Sequence, residues 1–270
     1  MAIDSSAPIG IFDSGTGGLT VANAVKRLLP EESIIYFGDI AHLPYGDKSQ
    51  AAIQAYSVKI CEVLLQQRCK LVLIACNSAS AAAFELVREY VGSKAKVMDV
   101  ITPVIDYVRE NYAHKTIGLI GTKQTVSSNV YQKKIDQLGN GTILKSLATP
   151  LLVPMIEEDL ADDKINQSII NNYLKKDSIQ NIEALILGCT HYPLIKKQVE
   201  NFYQGSVDII DSSEITARAL KAYLQYNNLL NTSGIVSERF LVSDYTDAFE
   251  HSTKLFFNKE VHLEKYPIWE

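Results

Sequence analysis

No stretch of this 270-residue chain carries more than two consecutive basic residues, and bases are outnumbered 26 to 31, giving a formal net charge of −5. Nucleic-acid and anionic-membrane surfaces need a basic patch, so neither partner is expected. Long apolar runs are also missing. The longest uncharged stretch around an apolar centre, Leu71 to Phe84, contains Asn77, Ser78 and Ser80 and is too short to cross a bilayer. The opening MAIDSSAPIG has an acid at Asp4 and lacks the basic-then-apolar pattern of a secretory leader. Cysteines are few: Cys61, Cys69, Cys76 and Cys189 do not make a disulfide framework in a chain of this length. The expected compartment is the cytoplasm, where a cysteine that matters does so as a thiol. HExxH, HxH and CxxC are all absent, so no metal is expected. GxGxxG and the Walker pattern are absent too, and no lysine sits in a Schiff-base context. Nucleotide and pyridoxal phosphate therefore lack an anchor, and the chemistry is expected to need no cofactor.

What is present is a soluble globular composition, 47% hydrophobic and 21% charged. Short apolar runs alternate with helical periods. Ile9–Phe12, Ile34–Phe37, Leu71–Ala75, Val97–Val100, Thr116–Ile120, Ile143–Leu147, Ala184–Leu187, Val207–Ile210 and Phe240–Val242 read as strands. Most are continuously apolar, the mark of a parallel sheet covered on both faces. Helices between them imply βαβ units and a doubly wound α/β fold. Asp47 and Gln50 have the spacing of a capping box, Val126–Leu138 reads as one helix, and Pro193 as the start of another. In the segment after Cys76, Ala83, Leu86, Val87, Tyr90 and Val91 form the expected inner face; Ile165, Ile169 and Tyr173 mark a further helix.

A faint repeat is visible. IGIFDSGTGG parallels IGLIGTKQT, and LVLIACNS parallels ALILGCTH at a similar offset. The repeat points to two α/β lobes of like topology, with a cysteine after the equivalent strand of each.

Ligands of open parallel sheets bind outside the carboxyl ends of the strands. The residues there are Asp13 and Ser14, Asp39, Cys76 with Asn77 and Ser78, Gly121 and Thr122, Cys189 with Thr190 and His191, and Asp211. Cys76 and Cys189 each sit at a helix entrance, where the dipole lowers a thiol pKa. One such cysteine is usually inert core; two at matching places favour chemistry. Cys61 and Cys69 read as buried and inert. His191, two residues from Cys189, can hold or relay a proton. Asp13 precedes Gly15, Gly17 and Gly18, which would let backbone approach an anion, a carboxylate before a nucleotide. Tyr45 and Gly46 in DIAHLPYGDKS could face a ligand or simply connect two elements. Glu157 and Glu158 read, by themselves, as a solvated helix start.

The segments GIFDSGTGGLTV, YFGDIAHLPYGDKS, IACNSAS, VPMIEE and LILGCTHYPL together resemble the glutamate racemases of the cofactor-independent aspartate/glutamate racemase superfamily. The resemblance runs from residue 10 to residue 194. It implies two lobes related by a pseudo-twofold, residues 1–99 with 209–270 and residues 100–208, with the active site between them. It makes Cys76 and Cys189 the catalytic thiols, Asp13 the group assisting Cys76, and Glu157 and His191 those assisting Cys189. Asp13, Ser14, Tyr45, Gly46, Asn77, Ser78, Thr190 and His191 fall on substrate-contacting positions. Ser78 departs from the family's usual threonine, keeping the hydroxyl and losing a methyl. The resemblance further implies a homodimer, glutamate as the small-molecule substrate, and D-glutamate supply for peptidoglycan. Three other readings stay open: an aspartate racemase, a single-cysteine nucleophile enzyme attacking a carbonyl, and a two-lobed binding protein.

Overall fold

The computed structural model describes residues 3–158 and 163–270, apart from the side chains of Asp163, Ala248 and His251. Met1 and Ala2 of the opening segment therefore lie outside the described residues. The strands, in chain order, are β1 (Ile9–Asp13), β2 (Ile34–Gly38), β3 (Leu71–Ile74), β4 (Lys96–Asp99), β5 (Thr116–Gly121), β6 (Ile143–Ala148), β7 (Ala184–Gly188), β8 (Asp208–Asp211), β9 (Glu238–Val242) and β10 (Leu263–Lys265). Among the described residues they form two sheets, one ordered β10-β9-β2-β1-β3-β4 and the other β6-β5-β7-β8, with every pairing parallel.

The faint repeat now has a structural counterpart. Within each sheet the four repeated strands run second, first, third, fourth. Cys76 follows the third strand of one set and Cys189 the third strand of the other. The first sheet adds β9 and β10 beyond β2. Strand β8 pairs with β7, so the second sheet extends to Asp211, and residue 209 lies inside that strand.

Alternation along the strands explains why both faces are covered. Ile9, Ile11, Leu71 and Leu73 point into one apolar cluster, while Phe12, Val72 and Ile74 point into another on the opposite face. The first cluster continues into the second lobe through Ile120, Leu185, Leu187 and Tyr192, so the lobes share a core behind the site. The outer face of the second sheet packs Ile117, Leu119 and Ile186 against Val104, Val108 and Tyr131.

At the opposite, amino-terminal ends of the strands, the buried Lys70 ammonium meets Glu32 at 2.5 Å, Ser5 carbonyl at 2.6 Å and Leu229 carbonyl at 2.9 Å. The Asn231 N–H donates to the other Glu32 oxygen at 2.8 Å. Breaking such a pair from one side leaves a buried charge and costs about 3–5 kcal/mol. The base of the first lobe is thus pinned far from the carboxyl ends.

Several local expectations change. The helix Gln50–Gln66 is capped by Ser49, whose hydroxyl accepts from Ala52 N–H; Asp47 lies in the preceding turn and pairs with Lys123 instead. The segment from Val126 divides into helices Lys123–Ser127 and Val130–Asp136, because Asn129 takes a left-handed conformation with φ 56°. Pro193 lies in a single 3-10 turn, Tyr192–Ile195, ahead of the helix Lys196–Tyr203. Leu86 and Tyr90 face outward, as does Ile165; the inner face of their helices is carried by Ala83, Val87, Val91 and Tyr173. Cys61 and Cys69 are buried as expected, and burial pushes the Cys69 thiol up to about 12.

Candidate active site

The carboxyl ends of the strands in the two lobes face one cleft of about 880 Å³, counting solvent at its mouth. Ser14, Tyr45, Gly46, Cys76, Asn77 and Ser78 line it from the first lobe. Glu157, Cys189, Thr190 and His191 line it from the second. Asp13 is the one proposed site residue not on this wall: it lies fully buried directly behind Cys76.

On the first wall, Cys76 caps the helix Asn77–Val91, its sulfur accepting from Ala79 N–H at 3.4 Å with Ser14 Oγ at 3.8 Å. The helix-entrance geometry is as the sequence suggested, but its electrostatic result is not. Burial pushes the Cys76 thiol up, the Asp13 charge adds to it, and the Ala79 and Ser14 contacts only partly oppose them. Enclosure in low dielectric outweighs the helix dipole here. Asp13 Oδ2 accepts from Gly15 N–H at 3.2 Å and Gly18 N–H at 2.9 Å. Asp13 Oδ1 is buried with no hydrogen-bond donor among the described residues, and the carboxyl as a whole lies beside the Cys76 thiol. Burial raises the Asp13 pKa against the pull of His191 and these two amides. A carboxyl so placed can exchange a proton with that thiol.

On the second wall, Cys189 Sγ lies 3.8 Å from His191 Nδ1, and His191 Nε2 lies 2.9 Å from Glu157 Oε1. Burial opposes a proton on His191. The contacts to Cys189 and Glu157 outweigh it and push the pKa up to about 10. Glu157, half-exposed, connects this chain to solvent. The two thiols thus have different neighbours: a buried carboxyl behind one, and behind the other an imidazole that is hydrogen-bonded in turn to a carboxylate.

Two glycines after β1 have a further part. A Cβ at Gly17 would lie 2.2 Å from His191 Cε1, and one at Gly18 2.4 Å from Asp13 Cβ. They make room for site side chains, while the amides of Gly15 and Gly18 approach the Asp13 carboxylate. Gly46 plays a similar part between the lobes, since a Cβ there would come within 2.9 Å of Thr122 Cβ.

Polar contacts across the cleft hold the walls in register. Ser78 Oγ meets Thr122 Oγ1 at 2.8 Å, Thr20 Oγ1 donates to the Thr190 carbonyl at 2.8 Å, and Tyr131 hydroxyl donates to Asn77 Oδ1 at 2.8 Å. That last bond fixes the Asn77 amide with Nδ2 buried and, among the described residues, without an acceptor. Tyr131 was missed from the sequence because it falls inside the expected helix Val126–Leu138, at a position that reads as ordinary core. No group of three or more His, Cys, Asp or Glu side chains able to hold a metal is found among the described residues. No helix among them is long and apolar enough to cross a membrane.

Comparison with known proteins agrees with this geometry. The glutamate racemase of Chlorobaculum parvum is 38% identical over 264 residues, 96% of this chain and 95% of that protein. That of Syntrophus aciditrophicus is 40% identical over 256 residues, 94% of each. The crystal structure of Francisella tularensis glutamate racemase in complex with D-glutamate superposes with a TM-score of 0.90 at 38% identity, covering 98% of this chain and 99% of that one. Residues 19–220 match the Asp/Glu/Hydantoin racemase family, and with these relatives spanning nearly its whole length the chain belongs to that family.

Proposed function

We propose that the protein interconverts L- and D-glutamate by a two-thiol, two-base mechanism without a cofactor, supplying D-glutamate for peptidoglycan. The observation that carries this reading is the pair of cysteines, at equivalent strand ends, on opposing walls of one cleft. A single base cannot readily reach both faces of a stereocentre; two facing thiols can. The relatives described above are named glutamate racemases, which favours glutamate over the shorter aspartate. Neither a lone nucleophile nor a passive binder needs the second thiol with its own relay. A homodimer in the cytoplasm belongs to the same reading.

In one direction the Cys76 thiolate takes the Cα proton, after Asp13 has accepted the thiol's own. The Cys189 thiol returns a proton to the other face and is left as thiolate beside His191. In the other direction the roles exchange. The Asn77 Nδ2–H and the hydroxyls of Ser14, Ser78 and Thr190 are positioned for the substrate carboxylates. Hydrogen bonds to the α-carboxylate stabilise charge as it spreads from Cα.

With D-glutamate in deuterium oxide, Cα gains deuterium and L-glutamate accumulates toward an equal mixture, followed by proton NMR and circular dichroism. Aspartate at the same concentration stays unexchanged. Exchange on aspartate alone moves the substrate to the shorter acid, and a covalent adduct without exchange returns the single-nucleophile reading.

The Tyr131–Asn77 bond gives a second expectation. Tyr131→Phe frees the Asn77 amide to rotate, so the KM for glutamate rises about five- to tenfold, the worth of one hydrogen bond. Steady-state kinetics with both enantiomers check this; an unchanged KM removes Tyr131 from the account.

A further inference from the structure

We propose that Trp269, next to last in the chain, is a positioning residue that clasps the substrate-facing turn at Tyr45 and Gly46; the proposal rests on the glutamate reading above. Asp39 directly follows β2, its N–H donating to the Asp13 carbonyl at 3.0 Å. Its side chain is fully buried and collects four donors. Tyr45 hydroxyl reaches Oδ2 at 2.6 Å and His42 Nδ1 at 3.1 Å. Ser243 Oγ and Trp269 Nε1 each reach Oδ1 at 2.8 Å. Burial and the neighbouring Asp39 push the Tyr45 pKa well up, so its hydroxyl keeps the proton it donates.

The indole also completes an aromatic stack. His42 lies flat on Tyr56 with centroids 4.1 Å apart, and Trp269 meets His42 edge-on at 4.5 Å and Tyr56 at 5.5 Å. Tyr56 in turn touches Tyr45 at 5.7 Å. The tail that delivers Trp269 is itself anchored: Tyr266 N–H donates to the Val242 carbonyl at 2.8 Å, and its ring packs edge-on against Phe37 at 6.3 Å. One end of this network is a half-buried residue on the outside of the lobe. The other is Tyr45, on the cleft wall. Ser243 secures Asp39 from outside the turn, whereas His42 and Tyr45 belong to it, so the part that depends on the tail is the orientation of the 39–46 turn.

A loosened turn reduces the fraction of molecules ready to bind, and apparent affinity falls by that fraction while turnover at saturation is kept. Trp269→Ala therefore raises the KM for D- and L-glutamate about tenfold with kcat within about twofold. Trp269→Phe, which keeps the ring and loses the N–H, falls between it and wild type. Trp269 is the chain's one tryptophan, so emission reports this clasp alone. D-glutamate should shield the indole of the wild-type protein from acrylamide quenching, with half-saturation matching the kinetics. An unchanged KM in Trp269→Ala overturns the proposal. So does a kcat loss that parallels a fall in melting temperature, or quenching indifferent to saturating D-glutamate in an active enzyme. A wild type that racemises no glutamate overturns the parent reading instead.

Discussion

Cys76→Ala and Cys189→Ala each abolish racemisation, with kcat falling about 10⁴-fold or more, since each change removes a base in one direction and an acid in the other. The fold should tolerate either change, Cys76→Ala giving up only the long sulfur cap on Ala79 N–H. Both sulfurs lie at the cleft, and each truncation removes one atom from a wall that already faces solvent-accessible space. Near-wild-type melting curves should accompany the loss. A single variant that still racemises fully sinks the two-base mechanism. Deuterium exchange without racemisation in one variant has a different meaning: the remaining thiol still removes and returns a proton on its own face. That outcome would assign a face to each cysteine directly.

Gly17→Ala should be damaging too, although Gly17 is neither acid nor base. The added methyl would lie within 2.2–2.9 Å of three His191 ring atoms. The ring has no easy retreat. It is 6% exposed, held by Glu157, and faces the Phe256 edge at 5.1 Å. It must swing, and the Cys189–His191–Glu157 relay breaks. The expected loss is about 10²-fold in kcat, the low end of what general acid–base assistance contributes. The cause can be isolated by a double-mutant cycle. In a His191→Ala background the methyl has no ring to meet, so adding Gly17→Ala should cost almost nothing further. Losses that simply multiply would show that Gly17 matters for another reason.

The location of this site was more legible than its scaffolding. Asp13, Cys76 and Cys189 stand at strand ends in a parallel sheet, and the sequence pattern that marks the strand also marks its carboxyl end. The repeat was legible for the same reason. Tyr131, Trp269 and the packing at Gly17 were not, because each touches a residue remote in sequence: Tyr131 meets Asn77, Trp269 meets Asp39, and Gly17 faces His191. Periodicity reports which face of an element is apolar, not what lies against it. Leu86 and Tyr90 failed even at that level, since an amphipathic boundary residue can fall on either side. The direction of the Cys76 shift was misread because a helix entrance is visible in sequence, whereas the depth of burial that overrides it is a property of two lobes packed together.

The asymmetry between the walls has a thermodynamic consequence for a racemase. Mirror-image amino acids have equal free energies in water, so the equilibrium constant is unity at every pH. The ratio of kcat/KM for the two directions is therefore locked at one, whatever surrounds each sulfur. A carboxyl behind one thiol and an imidazole behind the other leave only a single freedom: kcat and KM can be traded against each other differently for the two hands. The enzyme's handedness, then, is confined to how tightly it holds each enantiomer against how fast it releases the other, and no proton relay can make it prefer a product.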